Sequence, residues 1–149
     1  MSNELNCSFK KEFLKTTTIL YVESDKQIRS EVYELFEAFF LKIIVAGDGE
    51  EALKEFKGNK SEIDIILTDA KLPKLDGLEL ISEIRKMDWN LPILITTNFE
   101  ENGLFKKLIK LHVTDYIMKP MQLNTTFKII SLLMEEKDRK KGQSWGKGL

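Results

Sequence analysis

Cysteine is almost missing from this chain. Cys7 is the single one in 149 residues, so no internal disulfide can form, and the count points weakly to a reducing compartment. Histidine is as scarce: with His112 alone, a zinc site built from His and Cys is excluded. No apolar run approaches the roughly 20 residues of a membrane span. The opening residues carry Glu4, Lys10 and Lys11 with no apolar core behind them, unlike a secretory leader. Neither charge dominates, 23 Lys and Arg standing against 24 Asp and Glu, so composition gives no support to nucleic-acid or membrane binding. A glycine-rich phosphate loop is also missing, which argues against nucleotide binding. The expectation is a cytoplasmic domain.

What is present is long enough for one domain with a sizeable core, 42% hydrophobic and 32% charged. Its organising stretch is Ile63–Gly77, IDIILTDAKLPKLDG. An apolar run, Ile63, Ile65, Ile66 and Leu67, stops at Thr68–Asp69, and Pro73 and Asp76–Gly77 follow. Such a run bounded by turn residues suits a strand buried on both faces of a parallel sheet. Asp69 then stands at the strand's carboxyl end, where open α/β sheets bind ligands. Taken alone, it reads more readily as an ordinary turn residue.

The rest of the chain repeats the pattern. Leu5, Phe9 and Phe13 recur at helical spacing in an N-terminal extension, residues 1–15. Thr16–Val22 reads as a strand, followed by a capping cluster, Glu23–Ser24–Asp25. A helix follows, with Ile28, Val32, Leu35, Phe36 and Phe39 on one face. Lys42–Ala46 is a second strand; Asp48 or Gly49 caps a short helix carrying Ala52, Leu53 and Phe56, which Gly58–Asn59 stops. Leu78, Ile81, Ile84 and Met87 mark the helix after Gly77, and Ile93–Thr96 the fourth strand. A weaker helix over Glu100–Lys110 carries Leu104, Phe105, Leu108 and Leu111. Thr114–Met118 is the fifth strand, ending at Lys119–Pro120. The last helix runs from about Leu123 to Lys137 with Asn124 as a candidate cap. Residues 139–149 read as a tail or linker, with Trp145 unexplained.

Strands alternating with helices predict an α/β fold: a doubly wound five-stranded parallel sheet with right-handed crossovers. Parallel strands deliver their ends to one edge, so Glu23, Ser24, Asp25, Asp69, Thr97 and Lys119 gather there. Carboxylates, a hydroxyl and an ammonium suit a phosphoryl group on Asp69, with Mg²⁺ held by acidic neighbours. Each residue alone has a plainer reading: Lys119 as a loop lysine, Thr97 and Glu23–Asp25 as helix caps.

Four ordered motifs, ILYVESD (Ile19–Asp25), ILTDAKLPKLDG (Ile66–Gly77), LPILITT (Leu91–Thr97) and DYIMKP (Asp115–Pro120), resemble the receiver domain of two-component response regulators over roughly residues 16–138. The resemblance implies a flavodoxin-like (βα)5 sheet of order 2-1-3-4-5. It implies that Asp69 is the phosphoacceptor, Thr97 the switch hydroxyl and Lys119 the lysine that contacts the phosphoryl group. Tyr116 matches the aromatic whose rotamer reports activation. Glu23, Asp69 and the Lys71 backbone carbonyl would hold Mg²⁺, with Asp25 as a further candidate. Serine at position 24 replaces a carboxylate expected as a metal ligand, which weakens metal affinity. Lys71 and Phe99 occupy the positions that govern hydrolysis of the aspartyl phosphate, and their types predict a slow loss.

The implied partners are a sensor histidine kinase or phosphotransfer protein, and a second copy through the face made by the helix after strand four, strand five and the helix after it. Such a domain is a signalling phosphoacceptor, not an enzyme, with no direct contact to nucleic acid or membrane. Because of Ser24, a phosphorylation-independent receiver-like binding module stands as the alternative. A phosphatase of the haloacid dehalogenase type needs a second aspartate where Lys71 stands. Nothing after Lys137 is expected to fold as an output module, so the chain is either a stand-alone receiver or a piece of a longer regulator. His112 reads as structural, because the phosphotransfer histidine belongs to the partner.

Overall fold

The computed structural model describes residues 9–98, 100 and 102–147, the last six by backbone alone. Its strands are β1 (Thr18–Val22), β2 (Lys42–Ala46), β3 (Ile65–Asp69), β4 (Ile93–Thr97) and β5 (Asp115–Met118). Its helices are α1 (Lys11–Leu14), α2 (Lys26–Glu37), α3 (Gly49–Gly58), α4 (Gly77–Met87), α5 (Leu104–Lys110) and α6 (Leu123–Lys147). The strands form one parallel sheet in the order β2-β1-β3-β4-β5.

Position in the sheet explains the composition of each strand. The three central strands, β1, β3 and β4, are buried at every residue, while edge strands β2 and β5 expose part of theirs. Alternate residues of a strand face opposite sides, so the sheet divides the core in two. Leu20, Ile66 and Ile95 pack with Phe56, Leu80, Ile81 and Ile84 from α3 and α4. On the other side Ile19, Tyr21, Ile65, Leu67 and Leu94 meet an aromatic cluster from α2 and α6. There the Phe127 ring lies 4.6 Å from Phe39 and 5.6 Å from Phe36. Each fully buried Ile or Leu contributes roughly 1.5–3 kcal/mol of transfer free energy before entropy is charged.

The N-terminal extension joins the second core. Phe9, just before α1, is buried with its ring 5.2 Å from Phe127, and Leu14 is fully buried. Lys10 adds a 2.8 Å ion pair to Glu135 of α6. The helical pattern there shrinks to four residues, and Leu5 and Cys7 lie outside the described residues.

Several expectations need correction. Ile28 and Leu35 do not share the buried face of α2; they are exposed, and Val32, Phe36 and the following Phe40 do the packing. The helix expected over 100–110 starts only at Leu104, because Gly103 takes a left-handed φ of 76°, and Phe105 is exposed. Asn124 lies inside the first turn of α6 instead of capping it, and that helix continues past Lys137 to Lys147. Polar residues sustain a helix that the loss of apolar spacing had suggested would end. The Trp145 side chain lies outside the described residues. The caps at Asp25 and Asp48 form as expected: Ile28 N–H donates to Asp25 at 3.0 Å and Glu51 N–H to Asp48 at 2.8 Å. The Glu51 bond and Lys74 hold the Asp48 carboxyl below its usual range.

Candidate functional site

Strand register builds the site. Asp69 pairs with Thr96 across β3 and β4, and Thr97 pairs with Met118 across β4 and β5. Asp69, Thr97 and Lys119 therefore come from three neighbouring strand ends and line one concavity of about 70 Å³. That space admits a small polar group. Ala70, Lys71, Asn98, Glu100 and Leu104 complete its wall.

Asp69 is 6% exposed, and its two oxygens are used differently. Oδ1 accepts the Lys71 backbone N–H at 3.2 Å. Oδ2 accepts a short bond from the Lys119 ammonium. Lys119 directly follows β5, and its N–H donates to the Thr97 carbonyl at 2.9 Å. Partial burial opposes the ammonium charge, but the bond and charge of Asp69, helped by Glu23 and Asp25, outweigh it and raise the Lys119 pKa above 10.5.

The acidic residues after β1 separate. Glu23 is buried, its Oε2 accepting the Asp25 N–H at 2.9 Å, while Ser24 is exposed and the Asp25 carboxylate caps α2. Arg29 donates to the Glu23 carbonyl at 2.7 Å and holds that turn against α2. Burial first, then the charges of Glu23 and Asp69, push the Tyr21 hydroxyl above its ordinary pKa of 10.0. Among the described residues no group of three His, Cys, Asp or Glu side chains is arranged to hold a metal ion. Two buried carboxylates, Glu23 and Asp69, remain as oxygen donors on this edge. Mg²⁺ binds through as few as one or two carboxylates with water filling its octahedron, so the donor set fits Mg²⁺ at its lower limit.

These features belong to a known family. Residues 19–131 match the family described as "Response regulator receiver domain". The chain is a member of that family. Over 104 residues it is 36% identical to the alkaline phosphatase synthesis transcriptional regulatory protein PhoP of Bacillus subtilis (strain 168), a match covering 68% of this chain and 42% of that protein. It is 28% identical over 113 residues to the two-component response regulator-like protein APRR7 of Arabidopsis thaliana, covering 74% of this chain and 16% of the other. The chain thus spans less than half the length of either relative. Among solved structures, the receiver domain of a Francisella response regulator superposes with a TM-score of 0.70 at 28% identity, covering 81% of this chain and 98% of that one. The receiver domain from Clostridium thermocellum reaches 0.74 at 23% identity over 83% and 97% of the two chains, a likeness of fold. The sheet order is the flavodoxin-like one of receivers, and receivers generally bind Mg²⁺ for phosphorylation.

The remaining expected residues fall into two groups. Tyr116 on β5 is partly exposed, its ring 5.5 Å from Phe105 of α5 in an edge-on contact. Lys71 pairs with Glu100 at 3.7 Å across the mouth of the concavity. Phe99 lies outside the described residues. His112 stacks on Trp89 at 5.2 Å with 7° between the planes. Sequence reasoning missed Asn98, Glu100 and Leu104 as wall residues, although each lies close in sequence to Thr97. It also missed Arg85, a buried charge on α4.

Proposed function

We propose that this receiver accepts a phosphoryl group on Asp69 from a histidine kinase or phosphotransfer protein and uses it to switch a protein-binding face. One observation carries the reading: a buried aspartate at the end of β3, bonded to a lysine, opens onto a small polar concavity shared with a threonine. An Asp69 oxygen attacks phosphorus, the bond from phosphorus to the donor's imidazole nitrogen breaks, and the electron pair leaves with the imidazole. The chain's contribution is positioning and charge neutralisation. Lys119 moves from the carboxylate to a phosphoryl oxygen, and the Thr97 hydroxyl donates to another. Mg²⁺, when bound, offsets the remaining negative charge, with Glu23, Asp69 and the Lys71 carbonyl as its protein ligands and Asp25 as a further candidate.

Pulling Thr97 inward changes the space beside Tyr116. The two aromatic rings on α5 and β5 then repack as a shift between two populated states. The face so altered, α5, β5 and α6, exposes Phe105, Ile109, Met118 and Leu132, and we assign it to a target protein or a second copy. The complexes of a yeast phosphotransfer protein with a receiver, and of a Borrelia burgdorferi receiver with its partner, superpose as folds on this chain at 21% and 23% identity. They support a protein partner for this one.

Ser24 supplies a neutral hydroxyl where a carboxylate would bind Mg²⁺ more tightly, so a raised Mg²⁺ requirement is expected. The alternative of a binding module that never takes phosphate is not favoured by the family membership. Lys71 and Phe99, neither of a residue type suited to orienting an attacking water, favour slow self-dephosphorylation. The deciding test is incubation with acetyl phosphate and Mg²⁺ read by intact mass. A one-phosphoryl gain lost in Asp69→Ala supports the proposal; no gain in the parent, restored in Ser24→Asp, transfers the favour to the binding module.

A further inference from the structure

The connection from β3 to α4 carries the Lys71 amide and carbonyl next to Asp69, and it is held from three directions. Within the site, the Lys71 N–H binds Asp69. At its far end Gly77 presses on β3 so closely that a Cβ there would sit 2.2 Å from the Asp69 carbonyl oxygen. From the side it meets the turn between β2 and α3. Gly49 N–H donates to the Pro73 carbonyl at 3.3 Å, and a Cβ on Gly49 would lie 1.7 Å from the Leu75 carbonyl oxygen and 2.6 Å from its carbon. Both are backbone atoms, so no change of rotamer relieves the clash. Asp48 meets Lys74 at 3.6 Å, and Lys74 holds a left-handed φ of 68° that a side chain disfavours. Leu72 and Leu75 pack on the core beneath, which leaves the connection little room to retreat.

We propose that Gly49 is a positioning residue for the phosphoacceptor site: its bare Cα lets the β3–α4 connection close to the depth at which the Lys71 amide reaches Asp69 and the Lys71 carbonyl takes its place. The consequence for phosphorylation rests on Asp69 being the phosphoacceptor; the positioning itself does not. Gly49 contributes no atom to the concavity and acts only through the backbone it abuts.

Native-state hydrogen exchange at the Lys71 amide tests this, compared among the parent, Gly49→Ala, Gly58→Ala and Asp48→Asn. Gly58 ends the same helix with nothing within 4 Å of a built Cβ, so it controls for the glycine-to-alanine change itself. The expected result is exchange at Lys71 at least about tenfold faster in Gly49→Ala, with β1 and β4 amides at parental rates, since a local opening can be weakened independently of global stability. Gly58→Ala leaves Lys71 unchanged, and Asp48→Asn, which keeps a capping oxygen for the Glu51 N–H but loses the ion pair to Lys74, speeds it about twofold. Parental exchange at Lys71 in Gly49→Ala, or acceleration shared equally by every amide, overturns the proposal. If Gly49→Ala does not fold, unchanged Lys71 exchange in Asp48→Asn overturns it. Phosphoryl labelling of the parent in parallel separates the two readings: an unlabelled parent defeats the role of Asp69 and leaves the exchange comparison standing.

Discussion

Asp69 and Arg85 are both 6% exposed, yet they sit at opposite edges of the sheet and are treated in opposite ways. Arg85, on α4, spends four of its five N–H donors on backbone carbonyls: Leu111 at 2.8 Å, Asp88 at 3.0 Å, Leu91 at 2.7 Å and His112 at 2.8 Å. It ties the connection before β4 to the one before β5, and burial lowers its pKa despite the nearby charge of Asp88. Asp69 is bonded by one amide and one lysine and faces a concavity instead of a wall of acceptors. A buried charge whose bonding capacity is filled by backbone is architecture. A buried charge with capacity left over, and space in front of it, is available for chemistry.

That contrast breaks first at Asp69. Asp69→Ala should abolish phosphoryl labelling while shifting unfolding free energy by less than about 1 kcal/mol, because its partner Lys119 is partly exposed; mass spectrometry and urea denaturation read the two effects. Arg85→Met should do the reverse. Orphaning four carbonyls should lower stability by about 3 kcal/mol, while the fraction of molecules that remain folded still takes label. Equal labelling loss in both variants would erase the distinction.

Finer changes sharpen it. Ser24→Asp adds an oxygen ligand on the reactive edge only, and should lower the Mg²⁺ concentration for half-maximal labelling about tenfold, equivalent to about 1.4 kcal/mol. The smallest effect concerns pH. The Lys119 pKa is raised on folding, so its stabilising contribution is complete below the ordinary value of 10.5 and is lost as pH rises through the higher folded value. The difference in urea midpoint between the parent and Lys119→Met should therefore be constant through neutral pH and shrink only under alkaline conditions; a difference that vanished in mild acid would contradict this sign.

The same contrast explains how much could be read before the structure. Strand ends concentrate the reactive residues, and strands announce themselves by apolar runs, so Asp69, Thr97 and Lys119 could be placed from order alone. Lys42–Ala46 was expected with its observed bounds. Arg85 could not be found this way, because its partners are carbonyls, which every residue has. The exposure of Ile28 and Leu35 was equally hidden: helical spacing identifies an apolar stripe but not how wide a stripe the sheet covers. In the N-terminal extension, Phe9 and Leu14 are buried through contacts with α6, more than a hundred residues away, where local periodicity has no reach. The approach of Gly49 to Leu75 is likewise a tertiary contact between two turns.

The most direct measurement is chemical mapping of the phosphorylated atom. After incubation with acetyl phosphate and saturating Mg²⁺, borohydride reduction converts an aspartyl phosphate to homoserine, which peptide mass spectrometry locates. Homoserine is expected at position 69 and at no other aspartate. Homoserine elsewhere, or none at any Mg²⁺ concentration, would contradict it.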